Sequence, residues 1–215
     1  MPEPTALATL AAADVACRRG NRLLFKGLDL TLAAGQALWL RGPNGSGKTS
    51  LLRLAAGLSV PTSGRITWEG IALRSHSGFA RQRLYVGHAN ALKDDLSAVE
   101  SLRFLAVMHG RDAGDAALHR ALDRVGMASR SDALVRTLSQ GQRRRACLAR
   151  LALETEAALW LLDEPYDALD ADGVARVDTL LQQHLARGGS LLLTSHQAPG
   201  ANAPPMTELD LGAFA

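Results

Sequence analysis

The sequence predicts a single α/β domain built on a largely parallel sheet, and three observations carry that expectation. Short apolar runs that suit buried strands, such as LWLLD at 159–163 and SLLLTS at 190–195, alternate with stretches of helical periodicity. A further apolar run, QALWLR at 36–41, leads straight into a glycine-rich loop and then a helical pattern. The chain has 215 residues, enough for one large core, and shows no internal repeat or low-complexity linker that would divide it.

Residues 7–40 read as short strands, with turn chemistry at Arg19-Gly20-Asn21 and Ala34-Gly35. Thr49 to Gly57 has helical spacing, with Leu51, Leu52, Leu54 and Ala55 apolar and Gly57 as the stop. GRITWEGIAL at 64–73 reads as a hairpin. Residues 96–127 are helical in pattern, interrupted around Gly110–Gly114, and a further helix runs from Ser139 to residue 153. Val174–Arg187 is a helix ended by Gly188-Gly189. From about Ala198 the chain is Pro-rich and weakly patterned. Strands alternating with helices imply parallel pairing. The expected organisation is one domain over residues 5–209, with an inserted helical lobe at about 90–150.

Composition narrows the class. The apolar share of 47% belongs to a globular protein, and charged residues are mixed in sign with a formal net charge of +3. The basic side chains are nearly all arginine, the lysines being Lys26, Lys48 and Lys93. A pI near 9.2 permits an anionic partner. The arginines are not gathered into one tract, so no nucleic-acid partner is expected. Cys17 and Cys147 have no CxxC neighbour and read as buried thiols rather than a metal or redox pair. The first residues, MPEPTALATLAAADV, carry no basic region typical of a secretion signal. No uninterrupted apolar run approaches the roughly 20 residues of a spanning helix, so a soluble protein is expected, with any membrane role coming through a partner.

The chemistry begins at Gly42-Pro43-Asn44-Gly45-Ser46-Gly47-Lys48-Thr49, followed by Ser50. This run fits GxxxxGK[ST] and sits between a strand and a helix, as a phosphate-binding loop requires. Glycines let the backbone wrap closely around phosphates, and successive N–H groups at a helix N-terminus present positive partial charge. Lys48 adds a full charge for the β- and γ-phosphates, and the Thr49 hydroxyl can ligate Mg²⁺. Asp163 ends an apolar strand and can hold Mg²⁺, usually through water. Glu164, one residue further, can act as general base toward an attacking water. Together these features describe a P-loop NTPase.

Leu138-Ser139-Gln140-Gly141-Gln142 closely resembles LSGGQ, the signature of ABC ATPases, with Gln140 in place of the first glycine. It stands 24 residues before Asp163. Ser139 and the N–H groups of the following helix form a second anion site. The resemblance implies that Ser139, Gly141 and Gln142 act in trans, on ATP held by the phosphate loop of a second copy. Ala168-Leu169-Asp170 matches the D-loop, and His196 after a buried strand matches the switch histidine, which in the family contacts the γ-phosphate and helps orient the water. The resemblance runs from about residue 5 to 197 and implies a RecA-like core with an antiparallel β subdomain beside it, and ATP with Mg²⁺ as cofactors.

Two positions depart from the ABC pattern. Arg19 stands where an aromatic usually stacks on adenine; a guanidinium can also stack on a base, and a solvated turn arginine is the alternative. Tyr85-Val86-Gly87-His88 stands where YVPQ is usual, so His88 takes the place of the Q-loop glutamine, with the Asn90 amide as the other candidate.

The second departure points further. GHANALKDDLSAVESLRF at 87–104 resembles the ATPase subunits of the haem-export machinery of cytochrome c maturation, the CcmA family. GLSVPTSG at 57–64, LWLLDEPYDALD with DGV at 172–174, and GG…LLLTSHQ at 188–197 fit the same family, while Ala89 and Ser101 replace a frequent Gln and a frequent Asn. The resemblance implies an ATP-hydrolysing subunit on the cytoplasmic face of the bacterial inner membrane. It also implies two partners: a second copy of the chain, and the integral-membrane subunits of the cytochrome c maturation system. Other readings are an ATPase for lipid, lipoprotein or small-solute export, or a non-transport ABC ATPase. Nothing in the chain resembles a haem site, and CxxCH is absent.

Overall fold

The computed structural model describes residues 8–111, 113–156, 158–196, 200 and 202–214. Residues 5–7 and Gln197, which belong to the expected domain and to the family-like C-terminal run, lie outside the described residues.

Strands β1 (Ala8–Arg19) and β2 (Arg22–Ala33) are 12 residues each, longer than their sequence implies. They pair antiparallel around Gly20, whose φ of 58° closes the turn. Strand β3 (Ala37–Arg41) leads to helix α1 (Lys48–Ala55), and β4 (Ser63–Trp68) forms a hairpin with β5 (Ile71–Ala72). The antiparallel sheet has the order β2-β1-β4-β5. A short helix α2 (Phe79–Gln82) and strand β6 (Arg83–Val86) follow. Next come helices α3 (Ala98–Met108), α4 (Asp115–Arg124) and α5 (Gln140–Leu153). Strand β7 (Leu159–Asp163), helix α6 (Ala171–Ala186), β8 (Ser190–Thr194) and β9 (Thr207–Asp210) complete the elements named here. The second sheet has the order β6-β7-β8-β3-β9, and every adjacent pair in it is parallel.

The parallel sheet explains the apolar runs. A parallel strand covered on both faces has no polar side, so it reads as continuous Leu and Trp rather than as alternation. All five residues of β7 and of β8 are buried. Their side chains still point alternately to two faces. Trp160, Leu162, Leu191 and Leu193 join the core beneath α3 to α6. Leu159, Leu161 and Leu192 join the core shared with α1 and the antiparallel sheet. Among the described residues no helix is long and apolar enough to cross a membrane.

Two regions differ from the sequence expectation. Residues 207–210, within the weakly patterned end, form β9, a parallel edge strand against β3. Its TELD sequence is mostly exposed, so its pairing rests mainly on backbone bonds, with Arg41 donating to Glu208 at 2.8 Å and Leu209 alone packing partly buried against the core. Strand β6 is four residues long, RLYV, too short to announce itself beside α2.

One buried titratable group makes this core sensitive to pH. His184 of α6 is fully buried, stacked on Trp160 with ring centroids 3.9 Å apart, and its Nε2 donates to Ser190 O at 2.9 Å. Burial pushes its pKa down to about 4, with Arg187 acting in the same direction. The unfolded imidazole titrates near 6.5, so the stabilisation is complete above that pH and is lost as pH falls from about 6.5 toward 4. Chemical denaturation should show about 1 kcal/mol of stability lost to this residue between pH 7 and 5.5. His184→Phe should remove that part of the pH dependence; an unchanged slope would assign it elsewhere.

Candidate active site

The turn between β3 and α1 is shaped by steric exclusion. Gly42 has φ 135° and Gly47 has φ 105°, both in the region that disfavours a side chain. A Cβ at Gly47 would lie 3.0 Å from the Phe25 ring, and one at Gly42 would lie 2.9 Å from Ser46 Oγ. Phe25 of β2 is fully buried, so the antiparallel sheet presses the loop against α1. Gly47 caps α1 without a side-chain hydrogen bond, leaving the first helical N–H groups without a side-chain acceptor. Lys48 is buried, and its Nζ donates to Gly42 O at 2.7 Å and Pro43 O at 3.3 Å. Ser46 Oγ is buried without a hydrogen-bond partner. A loop with a folded-back lysine, an unpartnered hydroxyl and helix N–H groups aimed outward fits a phosphate chain.

Asp163, at the end of β7, is 2% exposed and has both carboxylate oxygens engaged. Thr49 Oγ1 donates to Oδ2 at 2.9 Å, and Thr194 Oγ1 donates to Oδ1 at 2.9 Å. Thr194 lies directly opposite Asp163 in the β7–β8 register. Its hydroxyl also accepts the Glu164 N–H at 2.9 Å. Glu164 has φ 51°, a left-handed conformation that a non-glycine residue holds only when its surroundings impose it. Its carbonyl accepts from Arg144 Nη2 at 2.6 Å. Its Oε2 accepts the His196 N–H at 2.8 Å, and His196 Nε2 lies 3.5 Å from Oε1. An oxygen set of hydroxyl and carboxylate suits a hard divalent cation such as Mg²⁺.

One cavity gathers most of the expected residues. Arg19, Asn44, Gly45, Gly47, Lys48, Thr49, Ser50, His88, Asp163, Glu164 and His196 line it, together with Tyr166 and Asp167. Gly42, Pro43 and Ser46 complete the loop beneath. Ser139, Gly141 and Gln142 are not brought there. They line a separate cavity with Arg145, Ala168 and Asp170. Ser139 caps α5: its Oγ accepts the Gln142 N–H at 3.2 Å while Gln142 Oε1 accepts the Ser139 N–H at 3.0 Å. Gly141 has a steric reason to be glycine, since a Cβ there would lie 2.7 Å from Ala168 O. Gln140, which replaces the first glycine of the signature, is exposed at the first helical position. The Asn90 amide oxygen accepts from Arg144 Nη1 at 3.2 Å, so Arg144 occupies it in this structure.

Sequence reasoning missed Thr194, Tyr166 and Arg144. Tyr166 donates from its phenol to Asp178 Oδ1 at 2.7 Å beneath the cavity. Burial, and then that carboxylate, raise the Tyr166 pKa and keep the phenol protonated. The signal for Thr194 was present, a polar residue closing an apolar strand run, but its meaning depends on which strand lies beside it.

Residues 25–167 match the family model described as ABC transporter. The chain is 49% identical over 207 residues to the cytochrome c biogenesis ATP-binding export protein CcmA of Aromatoleum aromaticum, which covers 96% of both chains. It is 48% identical over 192 residues to the protein of the same name from Methylococcus capsulatus, over 89% of this chain and 92% of that one. The chain belongs to the CcmA family of ABC transporter ATP-binding proteins. The fold of this CcmA-family chain is also that of a dimeric ATP-binding cassette solved in a post-hydrolysis state with ADP and Pi. The TM-score is 0.79 at 21% identity, over 94% of this chain and 95% of that one.

The left-handed backbone at Glu164 has a consequence for stability. Alanine normally stabilises a chain relative to glycine, but at φ 51° the order should reverse by about 1 kcal/mol. Urea unfolding of Glu164→Gly and Glu164→Ala compares two variants that both lack the carboxylate. A more stable alanine variant would mean that Glu164 is not held in this conformation.

Proposed function

We propose that this CcmA-family chain is the ATP-hydrolysing subunit of an ABC exporter serving haem delivery in cytochrome c biogenesis, and that it works as a head-to-tail pair. The observation that carries the reading is the division of residues between two cavities. One holds the phosphate loop, Asp163, Glu164 and His196, the other Ser139, Gly141 and Gln142. A single chain cannot place both sets on one nucleotide, so each ATP lies between the phosphate loop of one copy and the α5 N-terminus of the other. The names of the relatives support the export role in cytochrome c biogenesis.

In this reading Lys48 exchanges its bonds to Gly42 O and Pro43 O for phosphate oxygens, and the loop N–H groups and Ser46 Oγ accommodate the rest of the chain of phosphates. Arg19 lies toward the base. Thr49 and Asp163 would hold Mg²⁺, which when bound supplies positive charge against the β- and γ-phosphate oxygens. Glu164 accepts the proton of the attacking water at its carboxylate, fixed by the His196 N–H on Oε2. His196 presents its ring on the same wall and orients the water. Ser139 and the N–H groups of α5, with Gly141 and Gln142, close the site from the partner and exclude bulk water.

The coupling partners are integral-membrane subunits, and the chain works on the cytoplasmic face of the bacterial inner membrane. Helix α3 leaves Phe104, Val107 and Met108 exposed, at 42%, 60% and 67%, an apolar surface on the helical layer that a membrane subunit can cover.

Two experiments test these steps. Lys48→Ala and Ser139→Ala should each be inactive alone, yet mixing them should restore partial ATPase activity. In a mixed pair one site carries both lesions and the other carries none. Failure to recover activity on mixing would place both groups on the nucleotide of one chain. A deletion strain should lose haem-stained c-type cytochromes while b-type cytochromes remain; unchanged c-type bands would remove the link to cytochrome c biogenesis.

A further inference from the structure

Arg144 lies on α5, five residues beyond Ser139, and its side chain is buried at 3% exposure. Burying a guanidinium is costly unless its donors are met. No carboxylate pairs with it within bonding distance among the described residues; Nη1 and Nη2 meet carbonyls and one amide oxygen, while Nε is buried without a partner. Nη1 donates to Gly87 O and Asn90 Oδ1, both at 3.2 Å. Nη2 donates to Asp163 O at 2.9 Å and to Glu164 O at 2.6 Å. Two faces of one planar group thus hold two segments that do not otherwise belong together: the loop after β6 and the strained turn after β7.

The guanidinium is rigid, so its two faces cannot move independently. Displacing α5 along its axis carries Nη1 and Nη2 together. We infer that Arg144 is a positioning residue that ties the start of α5 to the catalytic turn and to the 87–90 loop. Seating a partner's nucleotide at Ser139 therefore sets the placement of Glu164 in the same chain. The inference rests on the proposed ATPase reading and adds to it a route by which one composite site senses the other. A misplacement of about 1 Å at a reacting group costs on the order of 100-fold in rate, so a small shift of this fork is enough.

The fork also separates the two candidates for the Q-loop position. His88 lines the nucleotide cavity, while Asn90 carries the link to α5. Asn90 therefore gives a second handle on the same device, at a half-exposed position whose substitution leaves the core intact.

The test uses the full-length chain with Arg144→Lys, Arg144→Met, Asn90→Ala and the Asn90→Ala/Arg144→Lys pair. For each, kcat and KM for ATP are measured and normalised to the chains that bind nucleotide. Arg144→Met should lower kcat on the order of 100-fold with KM changed less than about threefold, because the phosphate loop is untouched. Arg144→Lys should recover part of that loss, and Asn90→Ala should lower kcat by about fivefold. The paired variant should be no slower than Arg144→Lys alone, since both changes cut one linkage. If Arg144→Met does not fold, the lysine and alanine variants decide. Unchanged kcat per nucleotide-binding chain in both, or fully additive losses in the pair, would overturn the linkage. Wild-type chain that binds ATP but never hydrolyses it would instead overturn the ATPase reading itself.

Discussion

The Asp163 carboxylate is the contact on which the rest of the site depends. It joins three elements that reach one point from different directions: β7, which carries it, α1 through Thr49 and β8 through Thr194. The aspartate is 2% exposed, and a buried carboxylate is tolerated only when its oxygens are bonded. Each hydroxyl fixes one oxygen, so the phosphate-loop helix is held in register with the two central strands. Breaking either bond would leave a buried carboxylate oxygen short of a partner and free the helix that begins at Lys48.

Thr194 carries the consequence onward. Its hydroxyl donates to Asp163 and accepts from the Glu164 N–H, so one oxygen positions both carboxylates. The left-handed turn at Glu164 is the cost of aiming its side chain sideways toward His196 instead of along the strand. Such a conformation persists when neighbours over-determine it, and here Thr194, Arg144 and the His196 N–H all act on one residue. Glu164 is thus placed by the sheet and by α5 together, two units that meet only after the chain has folded.

That geometry also explains which features were readable in the sequence. The phosphate loop was legible because its constraint is local: Gly42, Gly47 and Lys48 lie within seven residues of one another and their exclusions are set by the turn itself. Strands β3, β7 and β8 were legible because burial on both faces leaves continuous apolar runs. Strand β9 was not, because an exposed edge strand is defined by its neighbour's backbone, which its own composition does not reveal. Thr194 stands 31 residues from Asp163 and matters only through strand register. Arg144 sits in a run of three arginines, and only the turn of α5 selects it for burial while Arg143 and Arg145 remain partly exposed.

Residues 87–90, which depart from the usual glutamine loop, are tied to Arg144. Here a buried guanidinium on α5 reaches the loop backbone at Gly87 and requires an acceptor nearby, which Asn90 supplies. His88 lines the cavity above the loop, and its side chain takes no part in that bond. An imidazole at 88 is a poor direct replacement for an amide at a Mg²⁺ site, since Mg²⁺ prefers oxygen ligands. The amide at 90 and the arginine at 144 are then one arrangement seen from two ends. Removing either side chain would leave the other with a hydrogen bond it cannot complete within the chain.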